Sequence, residues 1–262
     1  DYLGHLGELP ENIVPSLMVP VQFSGETVSD SRLADVDNDQ RPELAVGRWP
    51  VQTEQEVREL VKRTLAYEAG PAVSEAFFAT DGSEGSFSQI AGSIIDKGEL
   101  SRDQVIQFDG PTAQEIGELW QGGPWLAAYM GHGSIDRWGK DDIFSLQELD
   151  KLQGESVPIV LQLTCLTGLF SSPDQISLAE GMLLHHHGPV LIVAASSLTF
   201  SFHQEPFAVE FLKQLQDKNV ERIGDAFLGA KSILDIENSE GFREISDTFA
   251  LFGDPSAKIS RS

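Results

Sequence analysis

The sequence predicts an α/β protein in which helices cover both faces of a mostly parallel β-sheet. Three observations support this fold class. Short apolar runs typical of strands alternate with helical patterns, several helices begin with a clear N-terminal signal, and no internal repeat or low-complexity tract interrupts the order. Because the composition shows no break, residues 1–262 are predicted to form one domain. Residues 1–50 either make a small leading subdomain or supply the first strands.

Seven segments have the length and the apolar composition of strands. Each is followed by glycine, proline or a polar run, which is where a strand is expected to end. Two of them precede short polar motifs that are considered below. The segments lie at 17–23, 44–46, 76–79, 104–108, 125–130, 159–163 and 190–195.

The helices between these strands are marked mainly by their N-caps. A serine or threonine followed three residues later by glutamate occurs at Thr53, Thr112, Ser145 and Ser177. In this arrangement the two side chains satisfy free backbone N–H groups at the helix start. The pattern predicts a helix at each of these positions. Further helices are predicted over 87–95, 205–216 and 222–234.

The charge of the chain excludes some classes of partner. It carries 41 acidic and 18 basic residues, a formal net charge of −23. Such a field repels phosphate backbones and anionic membranes, so nucleic acid is not an expected partner. No apolar run approaches the roughly 20 residues that span a bilayer, which excludes membrane insertion. The acidic charge either attracts cationic peptides or reflects only solubility or a saline habitat.

A histidine and the single cysteine follow two of the predicted strands. The run at 125–130 ends in Gly131-His132-Gly133, and the run at 159–163 ends in Thr164-Cys165. Their separation, 165 − 132 = 33 positions, fits one strand–helix–strand crossover. Since such crossovers return the chain to the same edge of a parallel sheet, the two residues are predicted to face each other there.

This pair predicts thiol chemistry. An imidazole beside a thiol can take and deliver a proton and favour the thiolate, which is the nucleophilic form. The backbone N–H groups of Gly133 and Cys165 could bind the oxyanion of a tetrahedral intermediate. A buried core cysteine and a structural histidine are the alternative interpretation. The chain contains no G-x-S-x-G elbow, dinucleotide loop, phosphate loop or zinc-ligand spacing.

An acidic loop near the N-terminus has the alternate spacing of a calcium-binding loop. Asp35, Asp37, Asp39 and Glu43 could surround a hard cation with oxygen atoms. The loop lacks the glycine at its sixth position and the glutamate at its twelfth that an EF-hand has. A solvated acidic turn is the alternative.

These motifs together resemble the gingipain-type cysteine peptidases, relatives of caspases and legumains. The resemblance extends from about residue 28 to residue 256. It rests on an ordered set of segments: PELAVGRWP at 42–50, YMGHGS at 129–134 with Trp138, CLTGLF at 165–170, SLAE at 177–180 and GDP at 253–255.

The resemblance implies a caspase-like three-layer α/β/α sandwich with endopeptidase activity. It assigns His132 as the catalytic histidine, Cys165 as the nucleophile and Gly133 as an oxyanion donor. Gingipains have an acidic residue after an earlier strand that supports the histidine, and Asp81 occupies that place. Residues 196–202 lie where a wall of the specificity pocket is expected. Within that segment, the pocket candidates are Ser197, Phe200 and Phe202.

The leading hypothesis is therefore a cysteine endopeptidase that forms an acyl-enzyme on Cys165, with cleavage after basic residues as a further expectation. It needs no cofactor for the chemistry, and calcium is a structural candidate. The expected partners are a protein or peptide substrate, together with a pro-segment or flanking domains. The alternative is a non-catalytic or self-processing interaction domain of the same fold. Acyl transfer to an amine or thiol acceptor would use the same site.

Overall fold

The computed structural model describes residues 16–140, 143–155, 157–172 and 174–261. Its strands are β1 (Met18–Val21), β2 (Gly25–Val28), β3 (Gly47–Arg48), β4 (Ala76–Thr80), β5 (Val105–Asp109), β6 (Leu126–Met130), β7 (Gly133–Ser134), β8 (Arg137–Trp138), β9 (Phe144–Ser145), β10 (Ile159–Leu163), β11 (Leu191–Ala195) and β12 (Phe249–Gly253). Its α-helices are α1 (Glu54–Ala69), α2 (Gly85–Lys97), α3 (Ala113–Gln121), α4 (Leu178–Leu184), α5 (Ser201–Gln216), α6 (Ile223–Ser232) and α7 (Glu240–Thr248). Short 3₁₀ helices cover Ser31–Leu33, Arg102–Gln104 and Leu146–Lys151.

The central sheet has the strand order β3-β12-β11-β10-β6-β4-β5. The five strands from β11 to β5 are mutually parallel. Strand β12 runs antiparallel to β11, and β3 pairs in parallel with β12. The prediction of a mostly parallel sheet is confirmed. Its two antiparallel exceptions lie together at one edge.

Two hydrophobic cores, one on each face of the sheet, make the fold a three-layer sandwich. Adjacent residues of β4 point to opposite faces: Phe78 belongs to the core that contains Phe207 of α5, and Phe77 to the core that contains Trp120 of α3. This alternation is the two-residue period of a strand. Burying each large apolar side chain contributes roughly 1.5–3 kcal/mol, so both helical layers depend on the apolar strands.

An N-terminal hairpin packs against two later segments, at Ser196 and at Asp247. The sequence predicts one strand over 17–23, but the structure breaks it at Val21 and turns the chain back into β2. Gly25, with a φ of 80°, supplies the left-handed conformation that a three-residue hairpin loop needs. The Thr27 hydroxyl donates to the Ser196 carbonyl oxygen at 2.7 Å, and the Ser29 hydroxyl donates to the Asp247 carbonyl oxygen at 2.6 Å.

Several predicted elements differ from the structure. The strand expected at 44–46 forms directly after that segment, as β3, the helix expected after Ser145 is a 3₁₀ helix, and α7 with β12 was not predicted. The run that forms β12 is apolar, but its direction and partner depend on where α7 returns the chain to the sheet. No described helix is both long enough and apolar enough to cross a membrane.

A fully buried lysine joins the N-terminal segment to the last two helices. Lys231 Nζ donates to the carbonyl oxygens of Ser246 and Phe249, at 2.8 and 2.7 Å, and to the Ser31 hydroxyl. It also lies 4.4 Å from the centre of the Phe227 ring. Burial lowers the pKa of Lys231 to about 7, against the opposing effect of nearby carboxylates. This one side chain therefore satisfies acceptors in the N-terminal segment and at the junction of α7 with β12.

We expect the free energy of unfolding to change less with pH in Lys231→Met than in the native protein above pH 7. In the native protein the lysine releases its proton near pH 7, whereas the unfolded chain keeps it until about pH 10.4. The unfolded state therefore binds more protons in this window, and the free energy of unfolding rises with pH by at most about 1.4 kcal/mol per unit. Urea unfolding of both proteins between pH 7 and 10 measures this, since other groups cancel in the difference. Parallel curves for the two proteins would contradict it.

Candidate active site

His132 and Cys165 follow two strands that lie side by side in the sheet. Strands β6 and β10 are parallel, with Met130 opposite Leu163, and each candidate residue comes two positions after that pair. The Gly131 amide donates to the Leu163 carbonyl oxygen at 3.2 Å, so the pairing continues past the strand ends. His132 and Cys165 therefore lie level with each other at the carboxyl edge of the sheet, where sites of α/β proteins form.

Cys165 stands at the start of a sharp turn. The next residue, Leu166, has a φ of 62°, a left-handed backbone that costs a non-glycine residue roughly 1–2 kcal/mol. The Thr167 amide donates to the Cys165 carbonyl oxygen at 2.8 Å and closes the turn. Cys165 is partly exposed. Its Sγ lies 3.4 Å from both the amide nitrogen and the carbonyl oxygen of Thr199. The thiol is thus accessible and fixed in direction before any substrate binds.

The imidazole of His132 is oriented on two sides. Its Nε2 lies 2.8 Å from Glu84 Oε1, and the Phe87 ring packs against it edge-on with centroids 5.1 Å apart. The main chain is anchored separately, because the His132 carbonyl oxygen accepts from the Tyr129 hydroxyl and the Gly139 amide, both at 2.8 Å. The side chain is 32 % exposed, so a substrate can reach a ring whose backbone is fixed.

Two carboxylates approach His132, and they contact different parts of it. Asp81 is buried after β4, where Oδ2 accepts from the His132 backbone N–H at 3.3 Å and Oδ1 accepts from the Ser83 amide at 2.9 Å. Of these two carboxylates, Glu84 contacts the ring. Asp81 thus contacts the main chain of His132 while Glu84 contacts Nε2 of its ring, and the support of the histidine by Asp81 stays a prediction. The sequence signal for Glu84 was a second acidic residue in the same loop.

The Tyr129 hydroxyl supports this arrangement as a permanent donor. Burial raises the pKa of Tyr129, and the nearby Asp81 carboxylate raises it further. The hydroxyl consequently keeps its proton and donates to the His132 carbonyl oxygen. The tyrosine ring stacks on Trp138 with centroids 4.7 Å apart and planes 3° from parallel. Trp138, one of the residues that carries the resemblance, therefore supports the histidine segment by packing against Tyr129.

The glycines on either side of His132 are required by close contacts. A Cβ atom on Gly131 would lie 2.4 Å from Asp81 Cβ. On Gly133 it would lie 2.2 Å from Thr164 Oγ1 and 3.1 Å from the Cys165 carbonyl oxygen. Real Cβ contacts are not this short, so the histidine turn packs against the nucleophile turn only with glycine at both positions. Gly133 is thereby placed directly beside the segment that carries the thiol.

The expected pocket wall divides into a buried and an exposed part. Ser197 is completely buried, and its hydroxyl donates to Glu244 Oε1 at 2.6 Å, so it supports the segment from behind. Phe200 and Phe202 are 50 % and 59 % exposed and stack with ring centroids 5.5 Å apart. Between them and Ser197 lies Thr199, which contacts Cys165 Sγ. Sequence reasoning missed Thr199, because a backbone contact leaves no sequence signal.

The four acidic residues of the N-terminal loop come together in space. One carboxylate oxygen from each of Asp35, Asp37, Asp39 and Glu43 lies within 4.8 Å of the others. The Asp35 side chain is only 5 % exposed, and its Oδ1 is buried without a hydrogen-bond partner in the described part of the chain. Gln40, at the sixth position of the loop, adopts a left-handed φ of 75° where an EF-hand has glycine. The oxygen donors and the unpartnered Asp35 atom fit a hard cation.

We expect Glu84→Gln to lower kcat by about 10- to 100-fold, because glutamine cannot stabilise the imidazolium form of His132 as a carboxylate does. Asp81→Asn is expected to act mainly on stability. It replaces one of two acceptors for backbone N–H groups by an NH₂ group, at a cost of about 1–3 kcal/mol. Peptide-hydrolysis kinetics and thermal unfolding of both variants separate the two roles. A larger loss of kcat in Asp81→Asn, without a change in Tm, would reverse the assignment.

The sequence profile of Peptidase family C25 matches residues 1–260. The chain belongs to Peptidase family C25. Gingipain R2 of Porphyromonas gingivalis is 23% identical over 284 aligned residues, which cover 98% of this chain and 37% of the relative. Gingipain R1 of the same organism is also 23% identical, and the match covers 98% of this chain and 27% of that protein. The chain thus spans about a third of the length of these gingipains. The predicted resemblance to gingipain-type cysteine peptidases is confirmed.

Solved structures show the same fold. The crystal structure of the Arg-specific cysteine proteinase gingipain R has a TM-score of 0.79 at 19% identity, covering 94% of this chain and 61% of the gingipain. A complex of the P. gingivalis RgpB pro- and mature domains gives 0.77 at 20% identity, with 92% and 63% covered. The Saccharomyces cerevisiae separase–securin complex gives 0.57 at 12% identity, with 80% and 14% covered. The predicted caspase-like sandwich is confirmed.

Proposed function

We propose that this chain is the catalytic domain of a cysteine endopeptidase in which Cys165 forms the acyl-enzyme and His132 transfers the protons. The observation that carries the proposal is the level placement of the two residues on neighbouring parallel strands, with Glu84 on the imidazole. A thiol, a base and an orienting carboxylate are the parts that nucleophilic acyl transfer requires. Membership of a cysteine-peptidase family supports the same reaction class.

In the proposed reaction His132 takes the proton of the Cys165 thiol, and the resulting thiolate attacks the carbonyl carbon of the scissile peptide bond. The backbone N–H groups of Gly133 and Cys165 stabilise the oxyanion that forms. Collapse of the intermediate breaks the C–N bond, and His132 delivers its proton to the leaving amine. A water molecule, deprotonated by His132, then hydrolyses the thioester and restores the thiol. Glu84 keeps the imidazole in place and stabilises its charged form.

Cleavage after arginine is the proposed specificity. The solved gingipain R is described as Arg-specific, and the net charge of −23 favours cationic peptides. The exposed rings of Phe200 and Phe202 support arginine over lysine, because a planar guanidinium stacks on an aromatic face. Ser197 contributes by supporting the loop that carries these rings.

A positional peptide library tests the activity and the specificity together. The native protein is expected to cleave after arginine, and an acyloxymethyl ketone peptide is expected to label Cys165 once per chain. Cys165→Ala is the control for both readouts. Because one solved relative is a complex of pro- and mature domains, we also propose a pro-segment as a partner. A preparation that shows no hydrolysis is therefore tested again with added calcium and after limited proteolysis before it is taken as inactive.

The same experiment decides between the alternatives. Absence of turnover together with absence of labelling, after those trials, would replace the peptidase by a non-catalytic domain of this fold. Labelling with transfer of the acyl group to an added amine, and little hydrolysis, would indicate acyl transfer. The identity of the product distinguishes these two outcomes, since both use Cys165.

We also propose a structural calcium ion in the acidic loop. Asp35, Asp37, Asp39 and Glu43 would supply oxygen ligands, and Asp35 Oδ1 would gain the partner that it lacks. The loop is tied to the body of the domain, because Arg41 Nη1 donates to the Leu234 carbonyl oxygen at 3.2 Å. Neutralising these carboxylates would therefore stabilise the N-terminal segment rather than take part in the chemistry.

Removal of calcium is expected to lower Tm by about 5–10 °C. A ligand present at a hundred times its Kd contributes about 2.7 kcal/mol, and each kcal/mol corresponds to about 2–4 °C for a domain of this size. Thermal unfolding with CaCl₂ and with EDTA measures the shift. Asp35→Asn should abolish it, whereas Asp103→Asn, an exposed aspartate elsewhere on the surface, should preserve it. An equal shift in both variants would contradict the assignment to this loop.

A further inference from the structure

The turn of the N-terminal hairpin contacts the segment that holds the nucleophile. Ser24 Oγ accepts from the Leu198 amide at 3.1 Å and lies 2.8 Å from Ser197 Oγ. The preceding turn residue, Phe23, packs edge-on against Phe200 with ring centroids 4.8 Å apart. Ser24 is separated from Ser197 by 173 positions in the sequence, so this contact exists only in the folded domain.

Hydrogen-bond chemistry assigns a direction to this chain of hydroxyls. Glu244 is 3 % exposed, and its carboxylate accepts from the Ser197 hydroxyl at 2.6 Å and from the Gln22 amide at 2.8 Å. Since the single proton of Ser197 goes to Glu244, Ser197 Oγ must accept the proton of Ser24. Ser24 therefore donates to Ser197 and accepts from the Leu198 N–H group. Each of the two serine hydroxyls thus donates one hydrogen bond and accepts one.

The loop that Ser24 contacts, residues 197–199, in turn contacts the nucleophile turn at two points. The Leu166 amide donates to the Ser197 carbonyl oxygen at 3.1 Å, directly after Cys165. The Thr199 amide donates to Cys165 Sγ, and the Thr199 carbonyl oxygen accepts from the thiol, both at 3.4 Å. When the thiol loses its proton, the carbonyl contact is lost and the N–H contact becomes charge-assisted and stronger. The position of the Thr199 peptide thus affects the stability of the thiolate.

We propose that Ser24 is a positioning residue for the nucleophile. By fixing Leu198 it sets the distance of the Thr199 N–H group from Cys165 Sγ, and Glu244 fixes the direction of the hydroxyl chain. The role of Ser24 in catalysis rests on the proposed peptidase function. Its effect on the thiol does not, because the reactivity of Cys165 can be measured without a peptide substrate.

Ser24→Ala tests the proposal through the alkylation of Cys165 by iodoacetamide. Ser24 is exposed overall, so the variant is expected to fold. Loss of the hydroxyl leaves Leu198 without its acceptor and allows the Thr199 amide to move from the sulfur. At pH 7 the alkylation rate should fall about fivefold, the effect of losing one ordinary hydrogen bond, and the pH midpoint of alkylation should move upward. Ser24→Thr, which keeps the hydroxyl, should restore both.

Ser29→Ala is the matched control. It makes the same chemical change just after the hairpin, but the Ser29 hydroxyl binds the Asp247 carbonyl oxygen and not the loop. We expect a lower Tm with unchanged alkylation. Unchanged alkylation in Ser24→Ala would overturn the proposal, whatever its Tm. A protein that cleaves no peptide but shows the alkylation change would overturn the proposed function and leave the positioning role intact.

Discussion

Replacing Cys165 by alanine is expected to lower peptide hydrolysis by at least about 10,000-fold, the loss seen when a covalent nucleophile is removed. The chain has no second cysteine to substitute for it. His132→Ala should cause a similar loss, because the imidazole is the group proposed to take the thiol proton and to protonate the leaving amine. Steady-state hydrolysis of an arginine-containing peptide by each variant measures both effects.

The double variant adds a sharper criterion. Residues that act as one unit are not additive, so Cys165→Ala with His132→Ala should be no slower than either single change. His186→Ala, a change at an exposed histidine outside the site, should leave the rate unaffected. Additive losses in the double variant would mean that the two residues act in separate steps, and would contradict their assignment as a pair.

Gly133→Ala is expected to lower kcat/KM by about 100- to 1,000-fold, the range found when one oxyanion donor is displaced. A Cβ atom at this position would lie 2.2 Å from Thr164 Oγ1 and 3.1 Å from the Cys165 carbonyl oxygen. The histidine turn and the nucleophile turn would have to separate, which moves the Gly133 N–H group and the thiol together. Hydrolysis kinetics and labelling of Cys165 measure the loss.

A second substitution tests whether this loss is steric. Thr164 Oγ1 is buried and has no hydrogen-bond partner among the described residues, so Thr164→Ala removes the shortest contact at little cost. The double variant Gly133→Ala with Thr164→Ala should recover part of the activity. Gly92→Ala, where a Cβ atom would make only an ordinary contact of 3.5 Å, should behave like the native protein. Failure of the Thr164 change to recover any activity would exclude the contact with Thr164 as the cause.

The placement of His132 and Cys165 could be predicted from sequence because its signals are local. Each residue follows an apolar run, and the 33-residue interval suits one crossover, so chain direction and handedness determine the edge of the sheet at which both lie. The parallel pairing of β6 with β10 places them as predicted. The same local logic predicted helix starts at Thr53, Thr112 and Ser177, where both hydrogen bonds of a capping box are present.

The carboxylate beside His132 could not be assigned in this way. Asp81 and Glu84 lie in one loop, and either could have faced the ring. The choice depends on which oxygens the backbone already uses, because Asp81 accepts from two amides and leaves Nε2 to Glu84. Such competition between acceptors depends on angles and distances that follow only from the folded loop.

By itself, the sequence determined the layered α/β fold, the edge of the sheet at which His132 and Cys165 lie and the acidic loop. Patterns of apolar and capping residues act over short stretches of sequence, so these features can be predicted from local sequence alone. The tertiary structure decided which carboxylate contacts the imidazole and how Thr199 contacts the sulfur. It also decided that Ser24 contacts Leu198, in the loop that contacts Cys165. These contacts join segments distant in sequence through single hydrogen bonds, and only the packing of the whole domain brings their atoms within reach.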